Sequence, residues 1–341
     1  MSIHEVARRA NVSTATVSRT INNPDLVDPA TAARVQRAIE DLNYFPDTHA
    51  RTLVSGRSRI LGLLVSDITN PFFPELIKDF GDVAVESGYD ILVGSTNYSL
   101  ERMELCVRRM LERKVDGLAV MTSERNTPLI EQLSHHRIPI AFLDIGPPGR
   151  HFCDIQVNYA QGIGEAVDHL ISLQHRTFVF IGGPSHLPSA QMRLAAFLDY
   201  LRKSKIPASD ISVVPADFTV DGGLAAMNEA LSRQHLPTAV IGGNDLCAIG
   251  ALRAVHSAGF QVPQDISIIG FDDIHLAKFT EPPLTTVSLP RDEIARRVVS
   301  WLVSVIEERP VVAELGPPIE TRLVLRETTA QARKHLVRTA S

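Results

Sequence analysis

Residues 60–66 read ILGLLVS, and residues 73–88 read FPELIKDFGDVAVESG. The first is a short run of Ile, Leu and Val with no polar face, and the second has a helical pattern. The pair then repeats: DILVGS (90–95) with LERMELCVRRMLERK (100–114), VDGLAVM (115–121) with LIEQLSHH (129–136), and then IPIAFLD (138–144). Strands apolar on both sides, alternating with helices, predict a parallel sheet covered by helices. A second series keeps the same rhythm. It runs through IQVN (155–158), a helix from about Gly162 to Leu173, FVFIGG (178–183), a helix through Arg193 to Arg202, SVVPAD (212–217), a helix over Gly223 to Leu231, AVIGG (239–243), a helix over Leu246 to Ala258, and ISIIGF (266–271). Two series of this length predict two lobes. TTVSLP (285–290), a helix from Asp292 to Ile306 and ETRLVLRE (320–327) complete the body.

Open parallel sheets bind ligands beyond the carboxyl ends of their strands, so the residues there are candidates for a pocket. They include Asp67 and Asn70 after the first strand, Asp144 after IPIAFL, Asn244 and Asp245 after AVIGG, and Asp272 and Asp273 after ISIIGF. Each has a plainer reading, since Asp and Asn after a strand also cap the next helix. Their recurrence at one topological place in both series favours a site. Phe72, Phe73 and Phe218 offer faces on which a sugar or base ring can stack.

Upstream of residue 59 the pattern is entirely helical. Ser2 with Glu5 forms a capping-box pattern before Ile3, Val6, Ala7 and Ala10, which predicts a helix over Ile3 to Ala10. Asn11 and Val12 make a turn. Ser13 caps a second helix, STATVSRTIN (13–22), with Val17 and Ile21 on one face and Thr14, Ala15, Ser18 and Arg19 on the other. Asp28 and Pro29 start a third, in which Ala32, Val35, Ile39 and Leu42 close a miniature core. Two short helices joined by about three residues have helix-turn-helix spacing. A small bundle that merely packs on the body is the alternative. DTHARTLVSG (47–56) holds about two helical turns, too few for an isolated helix. It is either a plain linker or a segment that orders in a minor groove, where Leu53 would wedge between base steps, Ala50 would allow close approach, and Arg51, Arg57 and Arg59 would meet phosphates.

The charge is uneven in the same sense. Net charge is −5 over 341 residues, yet residues 1–59 carry eight arginines against six acids. That makes the head about +2 and the remainder about −7. Three scattered cysteines, Cys106, Cys153 and Cys247, supply neither a disulfide framework nor a zinc site, and no metal is expected. Nothing approaches the ~18 apolar residues of a membrane helix, and the N-terminus has no signal-peptide run. A cytoplasmic protein with no membrane partner is expected.

The run IHEVARRANVSTATVSRTINN (3–23), LNYFPD (42–47) and HARTLVSG (49–56), followed by NPFF (70–73), KVDG (114–117), RLAAF (193–197), NDLCAIGAL (244–252), VPQDISIIGFDD (262–273) and PPLTTV (282–287), closely resemble the lactose-repressor/galactose-repressor (LacI/GalR) family of bacterial transcription regulators. The resemblance implies an α/β fold class, in which an N-terminal all-α helix-turn-helix head precedes a two-lobed, type I periplasmic-binding-protein-like body of parallel sheets with helices on both faces. It implies a head over 1–46, a hinge over 47–58, and an effector-binding and dimerisation body over 59–330. The first lobe would take about 59–157 plus 289–315 and the second about 158–288 plus 316–330, leaving a tail at 331–341.

It also implies that Thr14, Ala15 and Arg19 read the major groove and that Leu53 intercalates. Ser2, Ser13, Thr16, Ser18, Asn22, Thr31, Tyr44, Ala50 and Arg51 complete the expected DNA-binding set. Thr14 and Ala15 are small, so Arg19 is the long candidate reader, with guanine as a natural base partner and phosphate as the alternative. The implied effector contacts are Asn70, Phe72, Phe73, Ser189, Arg193, Phe218, Asn244 and Asp272. Where members often have an acid before the fifth-strand Asn, this chain has Val157 before Asn158.

The expected partners are near-palindromic double-stranded DNA, a small effector (a sugar, sugar phosphate or nucleoside) and a second copy of the chain. The tail AQARKHLVRTAS lacks the heptads of a tetramerising coiled coil, so a dimer is expected. No cofactor is expected. Gly162-Ile163-Gly164 lacks the third glycine of a dinucleotide loop, there is no Walker A, GxSxG or HExxH, and His135-His136 reads as a solvated helix end. No enzyme is expected. A sugar-binding transport component is the main competing class and a Rossmann-type enzyme the more distant one.

Overall fold

In the computed structural model, residues 1–45, 56–122, 124, 127–134, 138–144, 151–233, 235–309 and 316–333 are described. The chain divides into two units, Met1–Ser58 and Arg59–Ser341.

The first unit holds α1 (Ile3–Ala10), α2 (Thr14–Asn22) and α3 (Pro29–Asp41). Local chemistry sets their ends. The Glu5 carboxylate accepts from the Ser2 amide at 2.7 Å, Asn11 takes the left-handed conformation that closes α1, and the Ser13 and Asp28 side chains accept from the third amide of α2 and of α3. Val6, Ala7, Ala10, Val17, Val35 and Ala38 are buried together, with Ile21, Leu42 and Tyr44 packed around them.

The second unit contains two large sheets and a two-stranded one. The first is built from β1 (Ile60–Val65), β2 (Asp90–Ser95), β3 (Gly117–Met121), β4 (Ile140–Leu143) and β5 (Phe152–Ile155), all parallel, in the order β2-β1-β3-β4-β5. Its alternate residues enter two cores. Leu61, Leu63 and Val65 face α4 (Phe72–Glu86), whereas Leu64, Leu118 and Val120 pack with Met103 and Val107 of α5 (Leu100–Glu112) and Leu129 and Leu133 of α6 (Thr127–Ser134).

After the two-residue β6 (Val157–Asn158), the chain enters α7 (Tyr159–Ser172) and the second sheet. That sheet comprises β7 (Phe178–Ile181), β8 (Ile211–Val214), β9 (Ala239–Gly242), β10 (Ser267–Asp272), β11 (Thr285–Ser288) and β13 (Arg322–Val324), in the order β13-β11-β10-β9-β7-β8. Only β13 is antiparallel to its neighbour. The helices α8 (Pro188–Lys203), α9 (Val220–Ser232) and α10 (Asp245–Ser257) connect its strands.

From β11 the chain crosses back. α11 (Arg291–Ile306) packs on α4 and β3, so that Leu302 and Ile306 close over Gly117. It then returns through β12 (Ile319–Glu320), which pairs with β6.

Three sequence expectations need correction. IQVN is not one strand, because Ile155 ends β5 and Val157–Asn158 pair with β12. ETRLVLRE is interrupted at Thr321, whose hydroxyl donates to the Asn158 carbonyl at 2.7 Å and accepts from the Gly162 amide at 2.9 Å. α7 begins at Tyr159 instead of about Gly162, because the Asn158 carboxamide caps it by accepting from the Gln161 amide. Gly162 and Gly164 therefore lie inside a helix. Side chains there would collide with Val287 and Thr321 and with the Tyr200 ring, which accounts for both glycines without a phosphate loop.

Candidate functional site

Arg193 sits on the second turn of α8, buried to 7% exposure. Its guanidinium donates to the Gly243 carbonyl at 2.6 Å and lies 3.2 Å from the Asp272 carboxylate at the end of β10. The charge also lies 3.9 Å from the Phe271 ring centroid, 5.2 Å from Tyr159 and 5.7 Å from Phe218. Arg193 Nε has no hydrogen-bond partner. Burial raises the Asp272 carboxyl to about 6, against the opposing pull of Arg193 and Arg291.

These groups form one wall of a cavity of about 40 Å³ between the carboxyl ends of the two sheets. All eight residues expected around the effector line it: Asn70, Phe72 and Phe73 from the first sheet's side, and Ser189, Arg193, Phe218, Asn244 and Asp272 from the second. Most are pinned by their neighbours. The Asn70 side chain accepts from the Phe72 amide at 3.1 Å, which holds the start of α4 beneath the edge-to-face pair Phe72–Phe73. The Asn244 carboxamide accepts from the Cys247 amide at 2.9 Å and donates to the Phe218 carbonyl at 3.0 Å. Phe218 itself is left-handed, at φ 66°.

Tyr98, Met121, Thr122, Leu143, Tyr159 and Leu289, outside the set expected from the sequence, also line the cavity. Burial raises both tyrosine hydroxyls, so each stays protonated. Among the described lining residues the formal charges are one cation, Arg193, and one anion, Asp272.

Other strand-end acids serve the fold. Asp67 accepts from the Thr69 amide at 2.8 Å. Asp245 is fully buried against Thr286 and the Ile274 amide, and Asp273 pairs with Arg326. Asp144, at φ 61°, accepts from the Val157 amide and the Tyr159 hydroxyl, each at 2.8 Å. Burial raises its carboxyl to about 6. Asn158 reaches Glu320 at 3.1 Å and is not among the cavity residues.

In the head, Ala15, Arg19 and Asn22 are exposed on α2, with Thr14, Thr16 and Ser18 half-buried. Some of these groups are engaged within the head. Ser13 and Thr16 hydroxyls share a hydrogen bond at 2.9 Å, the Asn22 carboxamide donates to the Ser18 carbonyl at 2.9 Å, and the Thr31 amide donates to Asp28. Ser2 is exposed and Tyr44 half-buried. Ala50, Arg51 and Leu53 lie outside the described residues. Arg59, a candidate phosphate contact in sequence, is tied into the body: its amide donates to Asp116 at 2.8 Å and its guanidinium lies 3.7 Å from Glu307 and over the Tyr89 ring.

Both units have counterparts among known proteins. Residues 2–47 match the model for bacterial regulatory proteins of the lacI family, and residues 167–329 match a periplasmic binding protein-like domain. The ribose operon repressor of Escherichia coli (strain K12) is 35% identical over 303 residues, covering 89% of this chain and 92% of that repressor. The chain belongs to the LacI family. A second member, the HTH-type transcriptional repressor PurR of Escherichia coli O139:H28, is 35% identical over 334 residues, covering 96% and 97% of the two chains. The crystal structure of the Lac repressor dimer bound to operator and the anti-inducer ONPF superimposes with a TM-score of 0.85 at 26% identity, covering 97% of this chain and 99% of that one. This LacI-family chain is thus a DNA-binding transcriptional regulator with a type I periplasmic-binding-protein-like body, as the resemblance of its motifs implies.

Proposed function

We propose that the chain is a cytoplasmic, homodimeric repressor whose operator affinity is set by an uncharged polyhydroxylated ring, of pentose size, held in the Arg193–Asp272 cavity. The observation that carries this reading is the charge balance of the cavity wall. Arg193 is already neutralised by Asp272 and donates to Gly243, so a phosphate dianion would enter with no spare cation among the described lining residues. A sugar asks for less. Its hydroxyls can both donate to a carboxylate and accept from a guanidinium, while its ring stacks between phenylalanine faces. The relative named for the ribose operon supports the same class.

The domain assignment is part of the proposal: a head over 1–46, a hinge over 47–58, the two-lobed body over 59–330 and a tail. The contact boundary after Ser58 and the return of α11 to the first sheet support it. On this reading the lobes close on the sugar and displace the first lobes of the dimer. That displacement decides whether two hinge segments fold together in the minor groove, with Leu53 as the wedge and Arg19 reading the major groove. Operator and effector affinities are then coupled reciprocally. The protein acts by binding and carries out no catalysis, with neither cofactor nor metal.

Calorimetric titration with ribose, ribose 5-phosphate and hypoxanthine tests the effector class. Ribose is expected to bind at least tenfold more tightly than the other two. Tighter binding of the phosphate or the base would overturn the assignment.

A further inference from the structure

A second arginine, outside the cavity wall, joins the two lobes where they meet. Arg291 is the first residue of α11, at the point where the chain crosses back. Its guanidinium donates to the carbonyls of Asp272 at 2.9 Å and Asp273 at 3.3 Å, both on the second lobe. The other terminal nitrogen lies 2.7 Å from the Glu75 carboxylate on α4 of the first lobe. Glu75 uses its remaining oxygen to accept from the His275 amide of the second lobe at 2.9 Å. Arg291 also lies 5.8 Å from the ring of Phe72, a cavity residue. Both charged side chains are largely enclosed, at 17% and 25% exposure, so solvent screens them less than a surface pair.

Two features give this bridge a function beyond packing. Asp272 and Asp273 hold left-handed backbones, φ 115° and 54°, which side-chain-bearing residues adopt at a cost. The carbonyls that Arg291 grips belong to those two residues, so the bridge fixes the strained segment that aims the Asp272 carboxylate at Arg193. The cavity, at about 40 Å³, is narrow, and the two lobes face each other across its opening. Among the polar contacts across that opening is the Glu75 bridge.

We propose that Glu75, Arg291 and the His275 amide form a closure latch, with Arg291 as a positioning residue that couples the geometry of Asp272 to the distance between the lobes. The latch holds the lobes together around an occupant, opens to admit it, and so sets the residence time of the effector without touching it. This rests on the reading of the cavity as the effector site.

Spin labels at Glu101→Cys and Asp221→Cys, at the exposed starts of α5 and α9, report the interlobe distance by double electron–electron resonance in a Cys106→Ser, Cys153→Ser background. The unsubstituted latch is expected to give a narrow, short distance. Glu75→Gln and Arg291→Met are expected to broaden it toward longer distances, Arg291→Lys to restore the short one, and the ribose dissociation rate to rise at least tenfold in Arg291→Met. Glu75→Gln keeps the size and exposure of the side chain, so folding is preserved. Unchanged distances in both Glu75→Gln and Arg291→Met would overturn the latch, as would Arg291→Lys opening as far as Arg291→Met. Should the unsubstituted protein bind no ribose, the sugar reading fails while the distances still decide the latch.

Discussion

Arg193 and Asp272 carry the site at the scale of single residues, and each leaves the other exposed to a penalty. Removing one member of a buried pair strands the other charge, at a cost of about 3–5 kcal/mol. Arg193→Ala is therefore expected to lower the melting temperature by several degrees and abolish ribose binding. Operator binding in the absence of ribose should stay within about threefold of the unsubstituted protein, and an anisotropy titration run beside calorimetry checks both. Asp144 gives a pH dependence of definite sign. Its carboxyl is raised to about 6 in the folded chain, so below the unfolded value near 4 the folded state has the full advantage of the retained proton, and that advantage is lost as pH rises through about 6. Asp144→Asn should flatten this fall, removing about 2 kcal/mol of the stability difference between pH 4 and pH 7. Urea unfolding at the two pH values measures it, and an unchanged difference would rule out Asp144 as its source.

At the scale of elements, caps and close approaches decide which changes are tolerated. Ser13 accepts from the Thr16 amide at 3.1 Å, so Ser13→Ala should cost the head about 1 kcal/mol, seen as earlier loss of helical signal on heating. Gly250 on α10 faces the backbone of α9, where an added methyl would overlap the Val220 carbonyl and the Leu224 amide. Gly250→Ala should cost about 2–3 kcal/mol, because backbone atoms cannot swing aside as side-chain ends do. A melting temperature equal to that of the unsubstituted protein would contradict the packing. The same distinction explains what was legible in the sequence. α1 ends at Ile3 and Ala10 as read, because the Ser2–Glu5 cap and Asn11 act within one turn. Asn70, Asn244 and Asp272 meet at one cavity because strand ends converge by topology, whereas Ser189 and Arg193, on α8, were implied only by the family resemblance. Tyr98, Tyr159 and Leu289 also follow strand ends, those of β2, β6 and β11, but which of such residues meet at one cavity depends on partners distant in the chain. The break between Ile155 and Val157 was hidden for a similar reason, since β6 is defined by a partner 162 residues downstream in the chain.

For the whole molecule, a three-helix head precedes a two-lobed body in the chain, and the proposed function is their coupling. A stable dimer is expected at low micromolar concentration in sedimentation velocity, and a stable tetramer would contradict the proposed dimer. The central claim is that sugar binding in the body sets the affinity of the head for its operator. Fluorescence anisotropy on a near-palindromic duplex, selected by the protein itself from random sequences, tests this most directly when repeated with saturating ribose and with a panel of other pentoses and hexoses. A shift of at least tenfold in operator dissociation constant is expected with one of these sugars, abolished by Arg193→Ala. An operator affinity that no sugar in the panel moves, or a shift that survives Arg193→Ala, would contradict the claim.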